Sequence, residues 1–214
     1  MLTIMTKGGP LMWFILIGAV LAIGIFLERL FHYHRAQIHT DDFVNGILNS
    51  LKHGNVSEAI NTCKETAGPV AQVVMSAVVN HDRSRDEIRE SVQDTARTEV
   101  TRLERNLPIL VTIAQVVPLF GFLGTVCGFI SVFKVIESTQ ATTAGQLAGG
   151  TWQALLTTAG GLVVAIPSYI AYNYLVNRVQ NLVLDMEKAA NEVVQYLGRR
   201  EQGGEQSAKV VEMR

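Results

Sequence analysis

Apolar residues are concentrated in three runs along the chain, at residues 11–30, 107–135 and 151–176. A membrane-spanning helix needs about 20 mainly apolar residues, and each run meets that length. The third run has no charged residue, and the second meets its first charge at Lys134. The pattern therefore predicts an all-α membrane protein with three transmembrane helices.

The first run differs from a secretory signal peptide in its length and in the residues at its end. Its apolar core is longer than a typical signal core, and no A-x-A-like cleavage site comes after it. Glu28 and Arg29 close the run directly. We therefore expect residues 11–30 to be a retained span.

The segment 31–106 carries signals for a series of helices. Helix starts are favoured by capping residues and by a proline in the first turn. Such starts are predicted at Asp41 or Asp42, at Asn55 with Glu58, at Pro69, and at Ser84 with Glu87. This segment is therefore predicted to be a helical domain.

Two of the spans are predicted to continue beyond the membrane. No Gly or Pro occurs from Ser84 until Pro108, so the last helix of the 31–106 segment is expected to run straight into the second span. Apolar residues at helical spacing extend the third span through 177–198, with Gly198 as the expected stop. The remaining residues, 199–214, are polar and are expected to form a disordered tail.

Basic residues predict the orientation of the chain. The 31–106 segment holds nine Lys and Arg, the part after Val176 holds six, and the 136–150 loop holds none. The positive-inside rule places the first two in the cytoplasm, as a helical bundle built on two extended spans. The N-terminal residues 1–10 and the 136–150 loop are then outside.

The net charge, the cysteine spacing and the missing enzyme motifs argue against several classes of function. A net charge of −1 gives no indication of nucleic-acid binding, and the two cysteines have no zinc-type spacing. The sequence also lacks the H-E-x-x-H and G-x-S-x-G motifs, which argues against an intramembrane enzyme. His32, His34 and His39 are interpreted as interfacial or solvated residues. We expect no metal or other cofactor.

Small and polar residues lie along faces of the second and third spans. Small residues allow close helix packing, and hydroxyls or amides in a bilayer must face protein or a cavity. The residues predicted to pack helices together are Gly121, Gly124, Gly128, Gly160 and Gly161. The residues predicted to line a pore or ion pathway are Thr125, Gln153, Thr157 and Thr158.

The interiors of the second and third spans contain no Asp, Glu, His or Arg. A proton carrier needs a titratable group near the membrane centre. This leaves two alternatives: the chain carries no protons, or another polypeptide supplies the carboxylate.

Two motifs resemble those of the MotA/TolQ/ExbB proton channel family. One is Pro118-Leu-Phe-Gly-Phe-Leu-Gly-Thr-Val-Cys-Gly128, and the other is Ala154-Leu-Leu-Thr-Thr-Ala-Gly-Gly-Leu-Val-Val-Ala-Ile-Pro167, followed by Tyr172-Asn173. The upstream segments 83–90 and 102–105 are typical of ExbB-like members. Three spans with one large cytoplasmic insertion also match ExbB and TolQ, whereas MotA-type members have four spans.

The resemblance implies a motor in the bacterial inner membrane. Its members are ring-forming subunits, usually pentamers, whose second and third spans line a pore around a dimer of an ExbD/TolR-like single-span partner. That partner brings an intramembrane Asp. Ion flow energises a TonB/TolA-like protein for outer-membrane transport or envelope maintenance. Residues 1–10 and 136–150 would then be periplasmic.

Two residues of this sequence match functional positions of the family, and one residue differs from the family pattern. Thr125 and Thr158 match the pore threonines of the family, but Gln153 stands where many ExbB and TolQ members have Glu. An amide cannot carry a proton. The alternative interpretation is therefore a non-conducting membrane scaffold of the same fold.

Overall fold

A computed structural model describes the backbone of residues 9–138 and 144–212 and the side chains of residues 9–138, 145 and 148–199. All the regular secondary structure in the described part is helical. Its seven helices are α1 (Leu11–Ala36), α2 (Thr40–Lys52), α3 (Val56–Glu65), α4 (Pro69–Val79), α5 (Arg85–Glu104), α6 (Leu107–Ser138) and α7 (Ala144–Glu212).

Three stretches of helix are long and apolar enough to cross a membrane. They fall in α1, α6 and α7, which contain the predicted spans 11–30, 107–135 and 151–176. The prediction of an all-α membrane protein with three candidate spans is confirmed.

The predicted loop 136–150 is shorter in the structure. Helix α6 continues to Ser138 and α7 begins at Ala144. The prediction ended the second span near Lys134 because a charge belongs outside the hydrocarbon, but a helix need not end where the bilayer ends. Residues 139–143 of the loop lie outside the described residues, as do residues 1–8 of the predicted N-terminal segment 1–10.

The prediction of one continuous helix from Ser84 into the second span is wrong. Helix α5 ends at Glu104, and Asn106 has a φ of 72°, in the left-handed region. In an unbroken helix the ring of Pro108 would collide with the carbonyl of Glu104. Asparagine tolerates the left-handed conformation better than most residues, so the chain breaks there.

The predicted stop at Gly198 is also wrong. Helix α7 passes through it and continues to Glu212, so the backbone of the predicted disordered tail 199–214 is helical up to that residue. A glycine inside a helix costs only about 1 kcal/mol relative to alanine and leaves the hydrogen-bond ladder intact.

Two of the predicted helix starts are confirmed in detail. Pro69 is the first residue of α4. At α5 the Glu87 amide donates to Ser84 Oγ (3.4 Å), and the Ser84 amide donates to Glu87 Oε2 (3.2 Å). This reciprocal pair is a complete capping box.

The other two starts differ from the prediction. Helix α2 begins at Thr40, and its N-cap residue His39 makes no side-chain cap. Asn55 is the N-cap of α3, but its amide donates to the Glu58 carboxylate (3.2 Å) and caps no backbone group. The side chains at these two sites therefore leave the backbone amides uncapped.

The chain divides into two compact units. The first, here called the span unit, consists of the chain up to Leu30 and Asn106–Val176. Apart from Arg29, its buried side chains are small or aliphatic, and large apolar side chains such as Trp13, Phe122 and Ile170 are exposed on its surface. Exposed large apolar side chains are the expected surface of a bilayer-embedded unit.

The second unit, here called the helical unit, comprises Phe31–Arg105 and the chain from Asn177 onward. Helices α2, α3, α4 and α5 pack each on the next. Its core includes Ile47, Val74 and Met186, which are almost fully buried. Tyr33 donates from its hydroxyl to the carbonyl of Leu103 (2.7 Å), and this bond is buried.

Candidate functional site

Helices α6 and α7 approach each other through glycines. A β-carbon on Gly121 would lie 3.0 Å from the carbonyl oxygen of Thr157, and one on Gly161 would lie 3.2 Å from the Gly121 Cα. One on Gly128 would lie 2.7 Å from the Ala154 Cβ. At Gly128 only glycine fits without a shift of its neighbours, and the contacts at Gly121 and Gly161 are nearly as tight. The GxxxG spacing of Gly124 and Gly128 in α6 allows this close approach.

The remaining predicted packing residue, Gly160, contacts a different helix. A β-carbon on Gly160 would lie 3.2 Å from Met12 Cε of α1. Gly18 of α1 in turn faces α6, where its β-carbon would lie 2.8 Å from Val117 Cγ2 and 3.7 Å from Ile113 Cγ2. Helix α1 therefore lies along one side of the α6–α7 pair.

Thr125 and Thr158 meet across the α6–α7 contact. Their hydroxyls are hydrogen-bonded to each other, and both side chains are half-buried. The Thr158 hydroxyl also lies within hydrogen-bond distance of the carbonyls of Gly121 (3.1 Å) and Ala154 (3.3 Å). Each hydroxyl has one proton and two lone pairs, so the pair keeps acceptor capacity for a further donor.

The threonine pair lies on the side of α6 and α7 that α1 does not cover. At 100° per residue, Thr158 is about 160° around α7 from Gly160, which contacts α1. Thr125 is about 80° around α6 from Val117 and about 120° from Ile113, the two residues that face α1. In the described part of the span unit, no helix lies over the two hydroxyls on that side. We call this side the threonine face.

Thr157 and Gln153 are the other two residues predicted to line a pore, and they differ in how close they lie to this pair. Thr157 is only 1% exposed and donates to the carbonyl of Ala154 (2.9 Å). Gln153 is about 140° around α7 from Thr158. A β-carbon on Gly9, just before α1, would lie 2.6 Å from Gln153 Nε2. The structure thus brings Thr125 and Thr158 together. It places the buried Thr157 hydroxyl on the Ala154 carbonyl that this pair also approaches, and Gln153 away from them.

Charged side chains occur only at the ends of the spans. At the end of the first span, Arg29 is buried and its guanidinium lies 3.5 Å from the carboxylate of Glu28. The Asn106 amide donates to the same carboxylate (3.3 Å), so Glu28 links α1 to the start of α6. The sequence alone gave no sign of this link, because 78 residues separate its two members. Among the described residues, no cluster of His, Cys, Asp and Glu is suited to hold a metal.

Comparison with known proteins gives consistent matches. The sequence profile of the MotA/TolQ/ExbB proton channel family matches residues 63–188, more than half of the chain. An ExbB homologue of Methanothermobacter thermautotrophicus is 29% identical over 175 residues, which are 78% of this chain and 62% of that protein. The chain thus spans less than two thirds of that relative.

Two further relatives cover different shares of the chain. The ExbB-like protein 3 of Synechocystis sp. is 32% identical over 72% of this chain and 75% of its own length. The Tol-Pal system protein TolQ of Haemophilus influenzae is 37% identical over 47% of this chain and 44% of its own length. The chain therefore belongs to the MotA/TolQ/ExbB proton channel family, in its ExbB-like branch.

Proposed function

We propose that this chain is the ring-forming channel subunit of an ion-gradient-driven motor in the bacterial inner membrane. The observation that carries the proposal is the Thr125–Thr158 hydroxyl pair on a side of the spans that α1 leaves uncovered. Both hydroxyls are bonded within the chain, but their remaining lone pairs can accept from a further protein or water donor, which lipid cannot supply.

A ring of identical chains supplies that environment. If the threonine faces of several copies point inward, the hydroxyls surround a central pore and α1 lies outside. Closed rings are the usual outcome when one chain contacts its neighbour head to tail. The family resemblance favours five copies.

The driving energy must enter through a second polypeptide. One charge crossing 100 mV releases about 2.3 kcal/mol, and this energy must be coupled to a group that binds the ion. The interiors of the second and third spans have no Asp, Glu, His or Arg that could take up the ion's charge. An ExbD/TolR-like dimer, with one span and one intramembrane Asp per chain, fits the pore. The protonated carboxyl of that Asp can donate to the free lone pairs of Thr125 or Thr158.

The orientation of the chain is inferred from its basic residues. Residues 31–106 and 177–214 are cytoplasmic, and residues 1–10 and the 136–150 loop are periplasmic. The motor would pass its work to a TonB/TolA-like protein for outer-membrane transport or envelope maintenance. Gln153 has no part in ion transfer in this arrangement, because it lies on the side of α7 that faces α1.

Two measurements test the proposal. Native mass spectrometry of the detergent-purified chain should give a closed ring, with five copies expected, and a stable monomer would contradict it. Thr158→Val should reduce gradient-dependent uptake or envelope integrity at matched expression. The control is Thr101→Val in α5, whose exposed hydroxyl bonds only the Arg97 carbonyl (2.9 Å).

The alternative, a non-conducting scaffold, is favoured by Gln153, which stands where many ExbB and TolQ members have Glu, and by the absence of Asp, Glu, His and Arg from the interiors of the second and third spans. The same variants separate the two functions. If Thr158→Val and Thr101→Val are equally active while the ring remains intact, the scaffold is supported and the ion path through Thr158 is rejected.

A further inference from the structure

The threonine face carries a second set of polar side chains. Gln115 on α6 and Tyr169 on α7 are both exposed, and neither makes a hydrogen bond within the described residues. Tyr169 is within about 20° of Thr158 around α7, and Gln115 is about 160° from Ile113, which faces α1. Both residues therefore lie on the side that α1 leaves open.

Gln115 and Tyr169 also lie at the same depth. The contact between Gly121 and Gly161 fixes the antiparallel register of α6 and α7. Gln115 is six residues before Gly121 and Tyr169 is eight residues after Gly161, so their depths differ by roughly 3 Å. The threonine pair is about 15 Å away, toward the opposite ends of the spans.

Apolar side chains separate the two polar levels. Phe122 lies between Gln115 and Thr125 on α6 and is 65% exposed, and Leu162 lies between Thr158 and Tyr169 on α7 and is 47% exposed. Along the threonine face, starting from the α6–α7 loop, there are three levels. The first is the Thr125–Thr158 hydroxyl pair, the second is the apolar layer, and the third holds the Gln115 amide and the Tyr169 phenol.

An exposed amide at this depth needs an explanation. A glutamine side chain has two N–H donors and a carbonyl acceptor, and lipid tails satisfy none of them. Gln115 must therefore face water or protein in the membrane. The tyrosine hydroxyl at the same depth has the same need.

We propose that Gln115 and Tyr169 form a second polar station on the ion path, where neutral oxygens hold a hydrated monovalent cation. This inference rests on the proposed function, because it requires the threonine face to line a pore. The station lies on the cytoplasmic side of the threonine pair. Its ligands are the Gln115 carbonyl oxygen and the Tyr169 hydroxyl, acting through the water shell of the ion.

The apolar layer gives the two stations separate roles. A hydrophobic constriction excludes water and blocks ions unless a carrier takes them across. The Phe122–Leu162 layer therefore prevents a continuous leak, and only a partner side chain that moves past it connects the threonine pair to the inner station. An ion that has passed the layer is held at Gln115 and Tyr169 before it reaches the cytoplasm.

Thiol labelling in membranes measures whether water reaches each of the three depths along the threonine face. Single cysteines are introduced as Gln115→Cys, Tyr169→Cys, Phe122→Cys and Thr158→Cys in a Cys63→Ala, Cys127→Ser background that still forms the ring. The probe is a small cationic methanethiosulfonate reagent, which reacts only with water-accessible thiols. Ile17→Cys, on the exposed surface of α1, is the lipid-facing control.

We expect labelling at Gln115→Cys and Tyr169→Cys, and none at Phe122→Cys or Ile17→Cys. Labelling at Thr158→Cys without labelling at Gln115→Cys and Tyr169→Cys would overturn the second station and leave the proposed function standing. If none of Gln115→Cys, Tyr169→Cys and Thr158→Cys is labelled, both the second station and the proposed function are contradicted. Labelling at Phe122→Cys would overturn the apolar layer.

A functional comparison tests the role of the amide. Gln115→Leu keeps the size of the side chain and should lower gradient-dependent function about tenfold, as expected for a lost hydrogen bond in the membrane. Gln153→Leu makes the same change on the α1 side, away from the proposed ion path, and should lower function much less than Gln115→Leu. Equal activity of the two variants would overturn the role of Gln115.

Discussion

Gly124 of α6 packs directly against the side chain of Thr157 of α7. A β-carbon on Gly124 would lie 2.7 Å from Thr157 Cβ and 3.2 Å from its Cγ2. Thr157 cannot withdraw, because it is buried and its hydroxyl bonds the Ala154 carbonyl one turn earlier. This contact sets the distance between the two helices that carry the threonine pair.

We predict that Gly124→Ala destabilises the protein by about 1–3 kcal/mol, because the added methyl group overpacks a closed contact. The measurement is the thermal unfolding midpoint of the detergent-purified chain. Gly24→Ala in α1 is the control, since a β-carbon there meets no atom within 4 Å. A Gly124→Ala protein as stable as the Gly24→Ala protein would show that α6 and α7 are further apart.

Gln153→Ala should be tolerated better than Thr125→Val or Thr158→Val. The Gln153 amide lies beside Gly9 on the α1 side, away from the proposed ion path. Hydrogen bonds between helices contribute only about 0.6–2 kcal/mol in membranes. The valine variants remove hydroxyls from the proposed ion path. The three proteins are compared for gradient-dependent function at equal ring content.

The opposite order of activities would change the mechanism. If Gln153→Ala abolished function while both valine variants kept it, Gln153 would be the coordinating residue. A cation bound by neutral oxygens, such as Na⁺, would then become the better candidate for the driving ion.

Local signals in the sequence were sufficient for much of the fold. The sequence alone predicts features that depend on neighbouring residues. These are the capping box of Ser84 and Glu87, the proline at the start of α4 and the three apolar runs. The break at Asn106 was missed, although Pro108 was the signal for it. Proline disturbs the turn that precedes it, so the break comes before the proline itself.

The candidate site was predicted only in part. Periodicity placed Gln153 and Thr157 on a stripe next to Thr158, but it does not indicate which side of α7 another helix covers. That depends on α1, whose Met12 meets Gly160 more than 140 residues later in the chain. Contacts this distant depend on the packing of all three helices and leave no local pattern in the sequence.

The 31–106 segment should be inaccessible from outside the cell. Thr98 is exposed on α5 and its hydroxyl bonds only the Asp94 carbonyl (3.0 Å), so Thr98→Cys presents a free thiol without disturbing the core. In a background without Cys63 and Cys127, an impermeant maleimide should label it in lysed cells only. Labelling in intact cells would reverse the proposed topology.

Ser84→Ala should loosen the start of α5. It removes the oxygen that accepts from the Glu87 amide, and losing such a cap costs about 0.5–2 kcal/mol. Hydrogen exchange of the peptide that spans residues 84–90 should become faster, while exchange in α4 stays unchanged. Ser84→Asp keeps an acceptor at the N-cap and should restore protection. If Ser84→Ala exchanged no faster than the parent, the box would not stabilise this helix.

Cys63 should react slowly with alkylating reagents and should show an unusual dependence on pH. It is buried in α3, and the loss of hydration raises the pKa of its thiol from 9.0 to about 11. At pH 8 the thiolate fraction is then about 100-fold below that of an ordinary thiol. In a Cys127→Ser protein, the iodoacetamide rate should still climb between pH 9.5 and about 10.5, where a thiol in the unfolded chain levels off.

The raised pKa of Cys63 also makes the free energy of unfolding depend on pH. Because the pKa of Cys63 is higher in the folded chain, the unfolded chain loses its proton first as pH rises. The contribution of the Cys63 thiol to the free energy of unfolding is therefore fully present below pH 9 and declines between pH 9 and about 11. Cys63→Ala should lower the thermal midpoint at pH 8 through the cavity it leaves, yet show a smaller further drop at pH 10 than the parent. If the two proteins lost equal stability between these pH values, the Cys63 thiol would be titrating as it does in water.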